Sequence, residues 1–531
     1  MFNFKSNFGY AIASVVLGLS LGLTGCSDSS SSNNPTPASG EIDLGRLSSS
    51  EKATVVLGYY PGENDLDTAT ATLYNTTMGE AKAELPLVKA KETTDDKPVY
   101  RCGLPALLEN QGPIQAKSRA ELTNYTVNTE YTKAAKGDDI GVYAVKNLSS
   151  HCAITVRKLL SNDETSSILA FAQVVDGSPV ATEEQAKTID KYFGTSNPYD
   201  TDGKSIGERV RGVFGSEWGY EKGDGGLDGT TKIIIVFLDS NTIGSDVYGY
   251  FDPSDEVNQS VSTYSNEGEI LYLNAAKCSN EVDFYSTVAH EFQHMCNYNQ
   301  KYVHNGAYDG ESAGELTSIN EGQSVLAEDL TGFNLTAQKD GSHVPGNSFI
   351  YNTATEFLQA PSAAGGLQSW GGSKKCYGQA YLIMRYIYDS NGESMINKIA
   401  TSTDTGIEHI DKLLNNNFAY TVCDMLTSCL GLSSLPSDWG FKTLKMNESY
   451  LIADGSSEGA TKTLAALTPD ATRVASSFSG CEVEMKANTP TVIEVEGDGS
   501  NVSLYFDLPA NCVGEIVVSG DDECEDIYDM E

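Results

Sequence analysis

The sequence predicts a multidomain α+β protein, and three observations carry that expectation. At 531 residues the chain exceeds what one ordinary hydrophobic core supports, so two or three domains are expected. Short alternating or continuous apolar runs dominate both flanks, whereas the middle carries apolar residues at helical spacing. The predicted layout is a β-rich N-terminal domain at 50–180, a central domain at 181–446 with a mixed sheet and a mostly helical second lobe, and a small β-domain at 447–531 that ends in an acidic tail.

The elements follow in chain order. Lys5 precedes a short apolar run with Ala11, Val15, Val16, Leu17 and Leu19, which are the marks of a signal peptide over residues 1–25. Gly and Ser interrupt that run, so it is too short to be a membrane-spanning helix. LTGC at 23–26 resembles the bacterial lipobox, which implies cleavage before Cys26, lipidation of its thiol and a lipid bilayer as partner. Ser27 after that cysteine resembles outer-membrane lipoproteins, with periplasmic or cell-surface exposure left open. Residues 26–49 are rich in Ser, Asn and Pro and read as a flexible tether.

Strands are expected at ATVVLGYY from Ala53, IGVYAV from Ile140, AITVRKLL from Ala153 and ILAFAQVV from Ile168. Thr182 and Gln185 then form a capping box that opens a helix to Phe193, and a second helix covers 204–214. KIIIVFL at 232–238 and EILYLN at Glu269–Asn274 read as buried strands. The Asp/Gly-rich loops at 200–203 and 224–229 match no calcium-binding motif and read as turns, so calcium is an unsupported option. Tyr377–Tyr388 has helical spacing, and TVIEVE from Thr491, SLYFDL from Ser503 and GEIVVSG from Gly514 are the final strands.

Charge narrows the function classes. With 35 basic and 73 acidic residues the formal charge is −38, which repels nucleic acid and anionic membrane surfaces. Setting Cys26 aside leaves ten of the 11 cysteines, an even number that suits an oxidising compartment. Proximity suggests disulfides between Cys102 and Cys152, Cys278 and Cys296, Cys423 and Cys429, and Cys481 with Cys512 or Cys524.

The chemistry concentrates at TVAHEFQHMCNY, residues 287–298. Phe284, Val288, Ala289, Phe292, Met295 and Cys296 recur at helical spacing, so His290 and His294 lie about 40° apart on one helix face and can share an ion. Glu291 projects beside that ion without binding it, placed to take a proton from metal-bound water. Cys296 points about 200° from His294 and falls outside the ligand set. Glu321, 27 residues after His294 in SINEGQSVLAEDL, heads a second helix and would complete a His₂Glu set for one zinc ion, leaving the fourth position to water.

HEFQH followed by NEG resembles the gluzincin group of zinc metallopeptidases. GTTKIIIVFL from Gly229, YGYFDPSDE from Tyr248, SNEGEILYLN from Ser265 and YGQAYLIMRYIYDSNG from Tyr377 are similar to the hyicolysin family in particular, over roughly residues 180–440. The resemblance implies a zincin-like domain that hydrolyses peptide bonds, with His290, His294 and Glu321 as zinc ligands and Glu291 as general base. It also implies an edge strand that pairs with extended substrate, assigned to Ile270–Asn274 with an interior strand as the alternative, and an oxyanion-stabilising Tyr377 or Tyr381 on a later helix. Thermolysin-like members carry Asp four residues after the ligand Glu. Here Val325 stands there, and Glu328 or Asp329 is the candidate to orient a histidine instead. The competing reading is a surface adhesin that keeps this fold without turnover; its mark would be a lost ligand or base, and all four residues are present.

Overall fold

The computed structural model describes residues 14–16, 39–59, 68–78, 87–88, 101–111, 126–223, 225–304, 314–335, 337–368, 370–429, 472–475, 478–509 and 512–519. The lipobox, the tether up to residue 38, Asp224, Cys524 and the acidic tail lie outside these residues.

After a three-residue strand at Ser14–Val16, four short strands follow: β1 (Ser39–Arg46), β2 (Lys52–Tyr59), β3 (Thr68–Asn75) and β4 (Leu87–Val88). A helix, α1 (Leu104–Gln111), then precedes a six-stranded run made by β5 (Asp139–Lys146), β6 (Ser150–Lys158), β7 (Ile168–Val175), β8 (Ile233–Leu238), β9 (Gly249–Phe251) and β10 (Ile270–Asn274). Their spatial order is β9-β10-β8-β7-β6-β5, with β8 parallel to both β10 and β7 and the outer pairs antiparallel.

All six residues of β8 are buried, as expected of a strand covered on both faces. Ile233, Ile235 and Phe237 join the core under the helices, and Ile234, Val236 and Leu238 join a second core on the other face. Between β7 and β8 the chain forms α2 (Glu183–Gly194) and α3 (Ile206–Phe214). The Thr182–Gln185 capping box expected at the start of α2 is formed.

The helical lobe consists of α4 (Glu281–Tyr298), α5 (Thr317–Leu330), α6 (Ser348–Gln359), α7 (Lys374–Asn391), α8 (Glu393–Thr401), α9 (Gly406–Leu413) and α10 (Phe418–Cys429). Every residue of α4 except Glu281 is buried, so this is a central helix rather than a surface one with a single apolar stripe. Helix α5 packs closely on α7: a Cβ at Gly322 would lie 2.6 Å from the carbonyl oxygen of Ala380.

The β-rich flanks depart from expectation. Strands β11 (Thr472–Ala475), β12 (Gly480–Lys486), β13 (Thr491–Glu496), β14 (Asn501–Asp507) and β15 (Cys512–Ser519) form no separate C-terminal domain. They interleave with the N-terminal strands into one sandwich. One sheet runs β15-β2-β13-β11, with Ser14–Val16 outside β15, and the other runs β1-β14-β3-β12-β4. Lys52 sits opposite Glu496, and Tyr59 opposite Cys512.

Val55 and Leu57, with Ile493 and Val495 of the same sheet, share the sandwich core with Val483 and Leu504 of the other sheet, whereas Val56 joins the core of the helical lobe. The expected 50–180 domain is thus split: residues up to 88 belong to the sandwich, and β5–β7 complete the central sheet. Alternation marks a strand but not its partner, so local pattern did not separate the two.

Two further corrections concern β10 and the cysteines. Strand β10 is interior, between β8 and β9, and the edge beside α4 is β9. Among the described residues, none of the nine cysteines forms a disulfide. Cys423 and Cys429 lie six residues apart on one helix, about 9 Å along its axis, beyond a disulfide's reach. Cys296 lies four turns into α4, far from Cys278 before its start. Cys481 and Cys512 sit on strands of different sheets, β12 and β15.

Candidate metal centre

Helix geometry brings the expected donors together. His290 and His294, one turn apart on α4, have ring centroids 4.9 Å apart. Helix α5 crosses them and delivers Glu321, whose Oε2 lies 3.2 Å from His290 Nε2 and whose Oε1 lies 3.3 Å from His294 Nε2. Seven residues on, two turns along the same face, Glu328 Oε1 is 2.8 Å from His290 Nδ1. That contact turns Nε2 inward toward Glu321. His294 Nδ1 is held by Asn320 Oδ1 at 3.1 Å and Ser324 Oγ at 3.1 Å, which does the same for the second ring.

Glu291 lies on the site's sheet side. Its Oε2 accepts the Phe251 amide of β9 at 3.0 Å, and its Oε1 is buried with no hydrogen-bond partner. Burial raises the Glu291 carboxyl, and the two histidines pull it partly back. Burial lowers His290, but the Glu321 and Glu328 carboxylates outweigh it and push that imidazole up to about 10. Burial likewise raises Glu321, yet His294 and His290 together bring it down to about 2. So much negative charge around two imidazoles is the setting in which a dication displaces a proton.

The two tyrosines part company. Tyr377 is wholly buried; burial first, then the neighbouring Glu321, Cys102 and Glu291, raise its phenol well above its usual value. Tyr381, one turn on, donates instead to Asp329 Oδ2 at 2.7 Å, which also takes Arg385 Nη1 at 2.6 Å. Of the two carboxylates considered for orienting a histidine, Glu328 meets His290 and Asp329 serves this outer network.

One member of the site has no counterpart in the sequence reading. Cys102, only 3% exposed, places Sγ 3.4 Å from His294 Nε2, 3.6 Å from Glu291 Oε2 and 3.9 Å from Glu321 Oε1. Ligand atoms of Cys102, His290, His294 and Glu321 all lie within 4.8 Å of one another. The expected partner of Cys102, Cys152, lies instead on β6. Burial and the two glutamates push the Cys102 thiol well up. Nothing in the spacing around RCG at 101–103 announces this placement, because the contact spans almost 200 residues.

Two imidazoles, a carboxylate and a thiol, all buried and convergent, make a donor set that could hold a divalent metal, and soft sulfur with borderline nitrogen suits zinc among the common ions. No known family model matches the chain. Over 250 residues, 44% of this chain, the sequence is 26% identical to the neutral metalloprotease ShpI of Staphylococcus hyicus. That match covers 50% of the relative's own length, so the chain spans about half of the curated protein it resembles.

Proposed function

We propose that this protein is a zinc-dependent endopeptidase of zincin-like architecture, exported and tethered to a bacterial outer membrane through lipidated Cys26. The observation that carries the reading is the convergence of His290, His294 and Glu321 from two crossing helices, with Glu291 beside them. The similarity to a neutral metalloprotease supports the substrate class, protein or peptide.

His290, His294 and Glu321 would hold the ion, and the buried carboxylates fit its charge. Zinc supplies Lewis acidity and lowers the pKa of coordinated water to about 7. Glu291 supplies the base: with Oε2 tied to the Phe251 amide, its unpartnered Oε1 is free to accept a proton and return it to the leaving amine. Tyr377, buried and under the electrostatic influence of Glu321 and Glu291, is the group that would donate to a developing oxyanion. Strand β9 is the sheet edge along which an extended peptide would pair.

Zinc content and cleavage of a denatured protein substrate test this reading in the wild type and in Glu291→Gln, each with Cys102 intact and with Cys102→Ser. One equivalent of zinc throughout is expected, with cleavage at least about a thousandfold slower in both Gln variants. Equal rates would remove Glu291 from its role, and a wild type without zinc would remove the site.

A further inference from the structure

The segment Arg101–Gly103 occupies the site from outside the two-helix frame. Its main chain lies parallel to β9: Tyr248 N donates to Arg101 O at 2.9 Å, Gly103 N donates to Gly249 O at 2.9 Å, and Cys102 bridges Gly249. This is the outer edge of the central sheet, where an extended peptide would otherwise pair. Gly103 permits the approach, since a Cβ there would stand 2.7 Å from both Tyr250 Cβ and Leu148 Cδ2.

Arg101 anchors the segment at one end. Its guanidinium donates to Asp283 O at 2.6 Å and to Ser286 Oγ, and lies 3.3 Å from Glu328 Oε2, the carboxylate that orients His290. At the other end, Leu104 and Leu108 of α1 cover an apolar recess beside His294 that is also lined by Phe251 and Tyr298. Cys102, between these anchors, puts its sulfur among the ligand atoms.

A zinc site that works on substrate keeps one position open, whereas one with four protein ligands is closed. We propose that Cys102 is the fourth zinc ligand and that Arg101–Gly103 is an internal inhibitory segment, so that the folded chain is latent until this segment leaves β9. The proposal rests on the zinc reading and adds a regulatory state to it. The segment excludes substrate twice, by filling the metal's open position and by taking the edge-strand hydrogen bonds.

The full-length protein loaded with cobalt in place of zinc tests this directly. The wild type should show a thiolate-to-cobalt charge-transfer band that Cys102→Ser lacks, and that variant should cleave a denatured protein at least about tenfold faster when zinc-loaded. Alkylation of Cys102 in the wild type, mapped by mass spectrometry, should abolish the band and raise activity likewise, which covers the case of a variant that misfolds. Stoichiometric metal without the sulfur band overturns the ligand assignment and leaves the zinc reading standing. A sulfur band without activation on substitution or alkylation overturns the inhibitory role. Absence of bound metal overturns the zinc reading and this proposal with it.

Discussion

At the scale of single residues, contacts outside the ligand set make distinguishable predictions. Glu328→Gln keeps the size of the side chain but weakens its hold on His290 Nδ1 and on Arg101, so zinc affinity should fall about 10–100-fold in competition with a chelating dye. Tyr377→Phe removes a hydroxyl at the site and should lower kcat about 10–100-fold with KM little changed, measured in the Cys102→Ser background. Tyr381→Phe should leave kcat intact and cost about 1 kcal/mol of stability through the lost bond to Asp329, seen as a lower urea midpoint. A second buried carboxylate group shapes pH dependence. Burial raises Asp228 to about 7, and burial reinforced by mutual repulsion raises Glu256 and Glu269 well above their usual values. A carboxyl whose folded pKa is raised binds more protons in the folded state than in the unfolded one, so stability is lost as pH rises from about 4 through 7. Asp228→Asn should therefore match the wild type near pH 4 and exceed it by about 2–4 kcal/mol above pH 7.5, measured by denaturant titration at each pH.

At the scale of elements, helices were legible in the sequence because their signals are local. The period around His290, the capping box at Thr182 and the helical spacing from Tyr377 each placed an element within a few residues. Strand β9 was not legible: three residues, Gly249–Phe251, are too few to show alternation, and the edge role passed to the longer β10. The candidate ligands were legible for the same local reason, since an i, i+4 pair and a nearby helix suffice to place them. Cys102 was not, because its neighbour in space is set by tertiary packing. Glycine shows a related limit. Gly322 lies mid-helix, where Ala is favoured by about 1 kcal/mol, yet the backbone carbonyl of Ala380 cannot yield to a Cβ at 2.6 Å. Overpacking of about 1–3 kcal/mol should prevail, so Gly322→Ala is expected to lower the urea midpoint without changing zinc stoichiometry. An unchanged or raised midpoint would show that α5 and α7 can separate at little cost.

At the scale of the whole molecule, strand content was legible and strand partnership was not. The runs from Ala53, Thr491, Ser503 and Gly514 were all recognised as strands, but alternation is satisfied by any partner that covers the apolar face. The sandwich joins segments more than 400 residues apart, and the stretch of sequence between them bears the candidate metal centre. Removal of 472–519 should therefore bare Val55 and Leu57. Trypsin is expected to cut within 39–88 at least about tenfold faster in such a protein. Unchanged resistance would mean that the N-terminal strands fold without their partners.

The same pairing has a kinetic consequence. At roughly 5–20 residues per second, about 20–90 s pass between the synthesis of β2 and that of its first neighbour, β13, and until then β2 has neither of its partners. A strand with apolar Val55, Val56 and Leu57 and open hydrogen-bonding edges is a template for aggregation. The chain is therefore most exposed to aggregation through this interval, and expression of a truncated chain ending before residue 472 should give more insoluble protein than the full chain.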